Sequence, residues 1–485
     1  MSTGTLSSSL EYIQKEYRLI AGVASIFLIY LGILLYQLLF VHRSFGLTLQ
    51  IFMNGAVLSA IYSTIALGFS LIFGIAKQLK LSIGGYYVVA AYAMFFLIEA
   101  RAIVPSPNTA ISVLTESGTI DGFIFILIAY LPLIVVIAAL TLFWRRLNFR
   151  HFMFVVFSVL VAIAGHVLQD SLRRAGFVVS LGTLERLLRQ GFSIGAAILL
   201  LGFALLYLEL PEPKVIIGMF GLATASVVIN FLGISSEYIA LMVLSISLTA
   251  FLAMISDRYL LEKVRYSHVN VLIVTFSLAL VLQSIIQIIY FPRGGNELVR
   301  FGEIKLGISY DTIVPQGNVI NIYGALIKEV QIYAFLFVVV AVLLLYLFIW
   351  KTKMGAALRA VSQDEEAAAL SGIDIRKSTA IVSGIGVALI SFAAVLTSPF
   401  TAKPQFGPFM GWWVLIIAIA IVTVGGLGSL PGSIVASIIL AYAVVIVSSL
   451  PDLATLSWAI PLIVVLIVMI VKPEGIFGER KELEA

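Results

Sequence analysis

AVSQDEEAAALSGIDIRKS, residues 360–378, sets three consecutive carboxylates, Asp364, Glu365 and Glu366, between two of the most apolar stretches of the chain. Ser362-Gln363-Asp364-Glu365 has the spacing of a capping box, in which the serine hydroxyl accepts from the Glu365 N–H and the glutamate reaches back to the serine N–H. The spacing predicts a helix that starts at Gln363. Its acidic first turn interacts favourably with the helix dipole by ~0.3–1 kcal/mol per exposed charge. Ala367, Ala368, Ala369 and Leu370 are strong helix formers, and Gly372 ends the helix as a left-handed cap, with Ile373 covering the last turn. The expected product has about nine residues and a length of roughly 13 Å at 1.5 Å per residue. A helix that short is marginal in water, so something must hold it. The membrane surface or the chain's own loops are one answer, and a partner protein that accepts the small alanine face and the acidic end is the other.

The flanking sequence sets the class. Of 485 residues 61% are hydrophobic and 11% charged, against about 25% charged in a soluble domain. A bilayer core about 30 Å thick needs roughly 20 apolar helical residues to cross it. Such segments recur at 18–41, 47–76, 81–99, 121–144, 152–169, 191–210, 214–233, 238–256, 269–291, 330–350, 379–398, 411–427, 432–449 and 456–471. The expectation is an all-α, polytopic transmembrane bundle of about fourteen spans. No strand-period alternation of the outer-membrane barrel type appears, and helices satisfy their own backbone in lipid. The first span is too long for a signal-peptide core and lacks a small-x-small cleavage site, so it is read as retained.

Orientation follows from the basic residues. With a cytoplasmic N-terminus, the inner segments hold Lys15, Arg18, Lys77, Lys80, Arg145, Arg146, Arg150, Arg258, Lys263, Arg265, the cluster from Lys351 to Lys377 and the tail from Lys472 to Lys481. This satisfies the positive-inside rule and puts both termini and residues 360–378 in the cytoplasm. Arg173, Arg174, Arg186 and Arg189 disagree; either 170–190 lies along the interface or a nearby span is miscounted. The net charge of +5 is accounted for by flanks that face anionic lipid, with no nucleic acid required.

Several chemistries lack their residues. There is no cysteine, and His42, His151, His166 and His268 are scattered without metal-ligand spacing, so neither a metal site nor another cofactor is expected, and no catalytic constellation suggests an enzyme. No G-x-x-x-x-G-K-[ST] loop is present, so the chain cannot cradle a nucleotide in such a loop of its own. Gly425-Gly426-Leu427-Gly428-Ser429-Leu430-Pro431-Gly432 lacks the lysine and reads as a tight turn between helices, with Pro431 near a helix start where its missing N–H costs nothing. Ionisable residues inside spans would mark an ion relay. Glu99 and Asp257 lie near span ends and His166 is the deep candidate, so the energy for any transport is expected from elsewhere.

From about residue 268 onward the sequence carries ordered blocks: Met354-Gly355 with Arg359-Ala360, then Asp364, Ala368, Leu370, Gly372 and Ile373, then Pro408, Gly411, the run 425–432, and Pro473-Glu474-Gly475-Ile476-Phe477-Gly478. Ala66-Leu67-Gly68-Phe69-Ser70-Leu71-Ile72-Phe73-Gly74 lies near the front. Together these blocks resemble the integral-membrane permeases of the branched-chain amino acid family of ATP-binding-cassette importers. The resemblance implies that the segment matching 360–376 is a coupling helix, resting in a cleft of a separate ATPase, with Ser362, Asp364, Glu365, Glu366, Ala367, Ala368 and Gly372 as docking residues. It also implies cytoplasmic ATPase subunits, a second permease subunit, an extracytoplasmic solute-binding protein and a small-molecule solute as partners within membrane lipid. Two departures stand out. Where the family has Asn-Phe-Ala-His-Gly-Glu, this chain has Lys80-Leu81-Ser82-Ile83-Gly84-Gly85, and residues 101–235 together with span 18–41 exceed the usual length.

The expected layout is 1–45 as N-terminus and additional first span, 46–100 as N-terminal permease helices, 101–237 as additional helices, and 238–485 as permease core with its coupling helix at 362–373. Asn54, Ser59, Tyr62 and Ser63 share a helical face, and Gln283 and Gln287 stand one turn apart with Ser284 alongside. Polar side chains so placed line a translocation path or join helices by hydrogen bonds; Asn54, Tyr62, Gln283 and Gln287 are the path candidates. Gly384, Gly386, Ala388 and Ser391 read as close helix packing. The functions that remain are an importer permease for a small amino acid or amide, or a stand-alone secondary transporter or channel.

Overall fold

The computed structural model describes residues 45–103, 236–290, 319–400, 409–472 and 474–477. The helices are α1 (Phe45–Ala76), α2 (Ile83–Ile103), α3 (Ser236–Ser256), α4 (His268–Tyr290), α5 (Glu329–Lys351), α6 (Lys353–Gln363), α7 (Glu365–Leu370), α8 (Ile375–Phe400), α9 (Met410–Gly425), α10 (Leu430–Ser448) and α11 (Ile460–Val471). Each of the nine expected spans within the described residues coincides with a helix, and six of these helices are long and apolar enough to cross a bilayer. The other five expected spans and the basic stretch 170–190 lie outside the described residues.

One element departs from an all-helical expectation. Val319–Ile322 and Ala325–Lys328 form an antiparallel hairpin, β1 and β2, closed by Tyr323 and Gly324, both at positive φ. That is the turn geometry matching the twist of paired strands, and the Asn321 carboxamide oxygen accepts from the Gly324 N–H at 2.9 Å.

The chain divides into two compact units. In the unit made of 1–74, 317–343 and 416–485, the glycine-rich run is the turn that the sequence predicts. Gly426 and Gly428 take positive φ, and Ser429 caps α10 by accepting from the Gly432 N–H. The closing block packs onto the end of α9, where Ile476 and Phe477 N–H groups donate at 2.8 and 3.1 Å to the carbonyls of Val424 and Gly425, which the helix end leaves without intrahelical partners. A Cβ on Gly74 would lie 3.3 Å from the Gly428 oxygen. Three of the family blocks, those ending at Gly74, spanning 425–432 and including Gly475, thus meet at one knot of backbone, which accounts for Gly74, Gly425, Gly432 and Gly475.

In the unit made of 75–316 and 344–415, α3, α8, α2 and α4 pack together. Two of the four small residues expected to pack closely on α8, Gly384 and Ser391, do so. A Cβ on Gly384 would be 2.6 Å from Met254 Cγ, and Ser391 shares a 2.7 Å hydrogen bond with Thr249. Gly84 and Gly411 touch so closely that a Cβ on either would come within 2.4 Å of the other's carbonyl oxygen. That contact gives a steric reason for the one family glycine kept in the divergent Lys80–Gly85 stretch.

Candidate functional site

A helix that the sequence reading does not foresee, α6, leads into the acidic turn. Thr352 caps α6 by accepting from the Gly355 N–H at 2.9 Å, and Gly355, Leu358 and Val361 form its buried stripe. The reversal from α5 into α6 needs Gly355, whose Cβ would sit 2.3 Å from the Phe348 and Ile349 carbonyl oxygens. Arg359 stacks 4.7 Å over Trp350 and donates to the Ile349 carbonyl.

The predicted capping box does not form. Ser362 belongs to the last turn of α6, where its hydroxyl donates to the Arg359 carbonyl at 2.7 Å. Asp364 is the cap, extended at φ −147°, and its carboxylate accepts from the Glu366 and Ala367 N–H groups at 2.9 and 3.1 Å. The amphipathic stripe carries α6 through Gln363, which leaves Asp364, an equally strong cap residue, as the first side chain free to turn back on the next helix. The short helix therefore runs over Glu365–Leu370 and has six residues. Its end is as predicted: Gly372 has φ +83°, its N–H donates to Ala369, and the Ile373 N–H donates to Ala368. This is the paired hydrogen-bond pattern of a Schellman motif.

What holds α7 inside the chain is now visible. Ala368 is buried against the chain, while Glu366, Ala367, Ala369, Leu370 and Ser371 are exposed, Leu370 to 91%. Glu365 turns inward to Arg265, whose second nitrogen donates to it at 2.8 Å while its first donates to Thr379 at 3.1 Å. Arg376 pairs with Glu262 at 2.8 Å close by. Arg265, Thr379, Arg376 and Glu262 line a cleft together with Gln78, Lys80, Asp257 and Arg258, whose free interior of about 10 Å³ suits about one water. It is far too small for an amino acid.

Lys80 corrects the sequence reading. It is buried with Asp257, with which it forms an ion pair, and it also donates to Ser383 at 2.6 Å. It is not a flanking charge facing lipid. Asp257 opens a π-helical turn at Asp257–Leu261 that continues from α3, an irregularity often found at functional positions. No motif announced the pair, since its members stand far apart in sequence, Lys80 in the turn between α1 and α2 and Asp257 just after α3.

The path candidates separate into the two units. Asn54 accepts from the Gln331 carboxamide at 3.2 Å, and Ser63 shares a 2.5 Å hydrogen bond with Ser437, so these polar groups join helices. Tyr62 is buried near them on α1. In the other unit Gln287 is partly exposed and Ser284 faces outward. Gln283 is fully buried, and among the described residues neither its oxygen nor its nitrogen has a hydrogen-bond partner.

The model of the family described as branched-chain amino acid transport system / permease component matches residues 215–471, more than half of the chain. The chain belongs to this family. The permease protein LivH of the high-affinity branched-chain amino acid transport system of Salmonella typhimurium is 30% identical over 162 residues, which is 33% of this chain and 51% of that protein. The corresponding protein BraD of Pseudomonas aeruginosa is 30% identical over 184 residues, 58% of its length. The chain thus aligns with between half and three-fifths of these relatives. No solved structure matches. As a family member with apolar helices of spanning length, the chain is a multi-pass membrane protein.

Proposed function

We propose that the chain is the membrane-embedded permease subunit of an ATP-driven importer for branched-chain or other small amino acids or amides. The observation that carries this is α7: a capped, alanine-rich turn with its outer face free, fixed to the membrane helices behind it. An isolated helix of that length would fray, so its ordered outer face is suited to receiving a partner. Glu366, Ala367, Ala369 and Leu370 form that face and would meet the cytoplasmic ATPase. Asp364, Ala368, Gly372 and Glu365 would act behind it by shaping and seating the helix. The relatives' names supply the solute class.

A second permease, ATPase subunits and an extracytoplasmic binding protein complete this proposal, with nucleotide biasing two access states. Gln283, whose amide offers one acceptor and two donors, and Gln287 remain candidates for solute contact. Asn54 and Tyr62 are retained as candidates on α1. Co-purification tests the reading: the tagged chain should retain an ATPase encoded beside it, and Leu370→Asp with Glu366→Lys should abolish that retention while leaving expression intact. Retention unaffected by both changes would remove α7 as the docking element. The buried Lys80–Asp257 pair is the observation favouring a stand-alone ion-driven carrier, but each charge is already neutralised by the other.

A further inference from the structure

Arg265 follows the irregular turns that extend α3 at Asp257–Leu261 and Glu262–Val264. Its guanidinium bridges α7, through Glu365, and α8, through Thr379. Its own carbonyl accepts from Gln78 at 3.1 Å in the turn between α1 and α2. One residue that follows α3 therefore touches the short helix and two other parts of the chain that lead into the membrane. The guanidinium fork suits it to two acceptors at once in a way that a lysine ammonium does not.

We propose that Arg265 is the positioning residue that makes α7 move with α3 and α8, and that Glu365 acts through Arg265 within the chain instead of touching the ATPase. This rests on the permease reading and deepens it, because it names the joint through which displacement of α7 reaches the membrane helices. The geometry has three supports. Arg265 is only 19% exposed and Glu365 42% exposed, so the pair is partly shielded from solvent. Ala368, one turn after Glu365, is buried on the same side, giving α7 a second point of attachment. Arg376–Glu262 ties the start of α8 to the same turns after α3, so the segment that carries Arg265 is joined to α8 a second time.

The native chain has no cysteine, so a spin label at Leu370→Cys in the full-length protein in nanodiscs reports on α7 alone. The expected spectrum is broad in the parent and sharpens to the same extent in Arg265→Gln and Glu365→Gln. The charge exchange Arg265→Glu with Glu365→Arg should broaden it again, which a folding defect would not do. An unchanged spectrum in Arg265→Gln overturns the proposal.

This arm needs no partner protein, so it stands even if the importer reading fails; absence of ATPase association in the parent chain would count against that reading alone. In the assembled transporter without the label, Arg265→Gln should lower uptake about tenfold with the ATPase still bound, and the charge exchange should recover most of it. Loss of ATPase binding in Glu365→Gln with normal α7 order would assign Glu365 to the partner and overturn the proposal.

Discussion

At the scale of single residues, Lys80 carries the largest expected effect. A charge buried in a membrane unit is tolerated when paired, and removing one partner strands the other at a cost of about 3–5 kcal/mol. Lys80→Met should therefore lower the thermal unfolding midpoint, whereas Lys80→Met combined with Asp257→Leu should recover much of the loss. A midpoint unchanged by Lys80→Met would mean that the pair is not formed in the membrane. Gly84→Ala forces a methyl against the Gly411 carbonyl, and overpacking of this kind costs about 1–3 kcal/mol; fluorescence-detected size exclusion after heating would measure it. The role of neither residue was readable in advance, although the family resemblance marks Gly84 as a retained glycine. Lys80 looks like an ordinary basic flank and nothing local says why Gly84 is kept, because what defines each is a neighbour distant in sequence.

At the scale of the element, the fate of the 360–378 segment shows where local reading succeeds and where it stops. Gly372 was legible because a positive-φ cap demands glycine and the preceding alanines fix its place. The start of the helix was not, because Ser362 and Asp364 are both good caps and the choice is made by the buried stripe of α6. The same holds for Glu365, whose charge suggested a partner while Arg265 supplies one in the chain. Gly372→Val places a β-branched side chain at φ +83°, a strained conformation. Expression and membrane insertion should survive this change while uptake and solute-stimulated ATP hydrolysis fall together. Retained coupling, measured as solute moved per ATP hydrolysed, would count against α7 as the coupling element.

At the scale of the whole molecule, hydropathy placed the apolar helices of the described regions to within four residues at either end, since lipid demands continuous apolar length, while the amphipathic α6 was not foreseen. The β1–β2 hairpin escaped because four-residue strands outside the spans leave no such signature, and the Tyr323-Gly324 turn is a weak signal by itself. The assignment of faces is a prediction here. Single cysteines at Ser362 and Glu482 should stay unlabelled by an impermeant reagent added to intact cells and react after permeabilisation. The central claim is that ATP hydrolysed by separate subunits drives solute through this permease. The most direct measurement is uptake of labelled branched-chain amino acids into proteoliposomes that hold the chain, its second permease and its ATPases, with the binding protein supplied on the binding-protein side. Uptake that requires both ATP and the ATPase subunits is the predicted result; saturable uptake by the chain alone, without nucleotide, would contradict it.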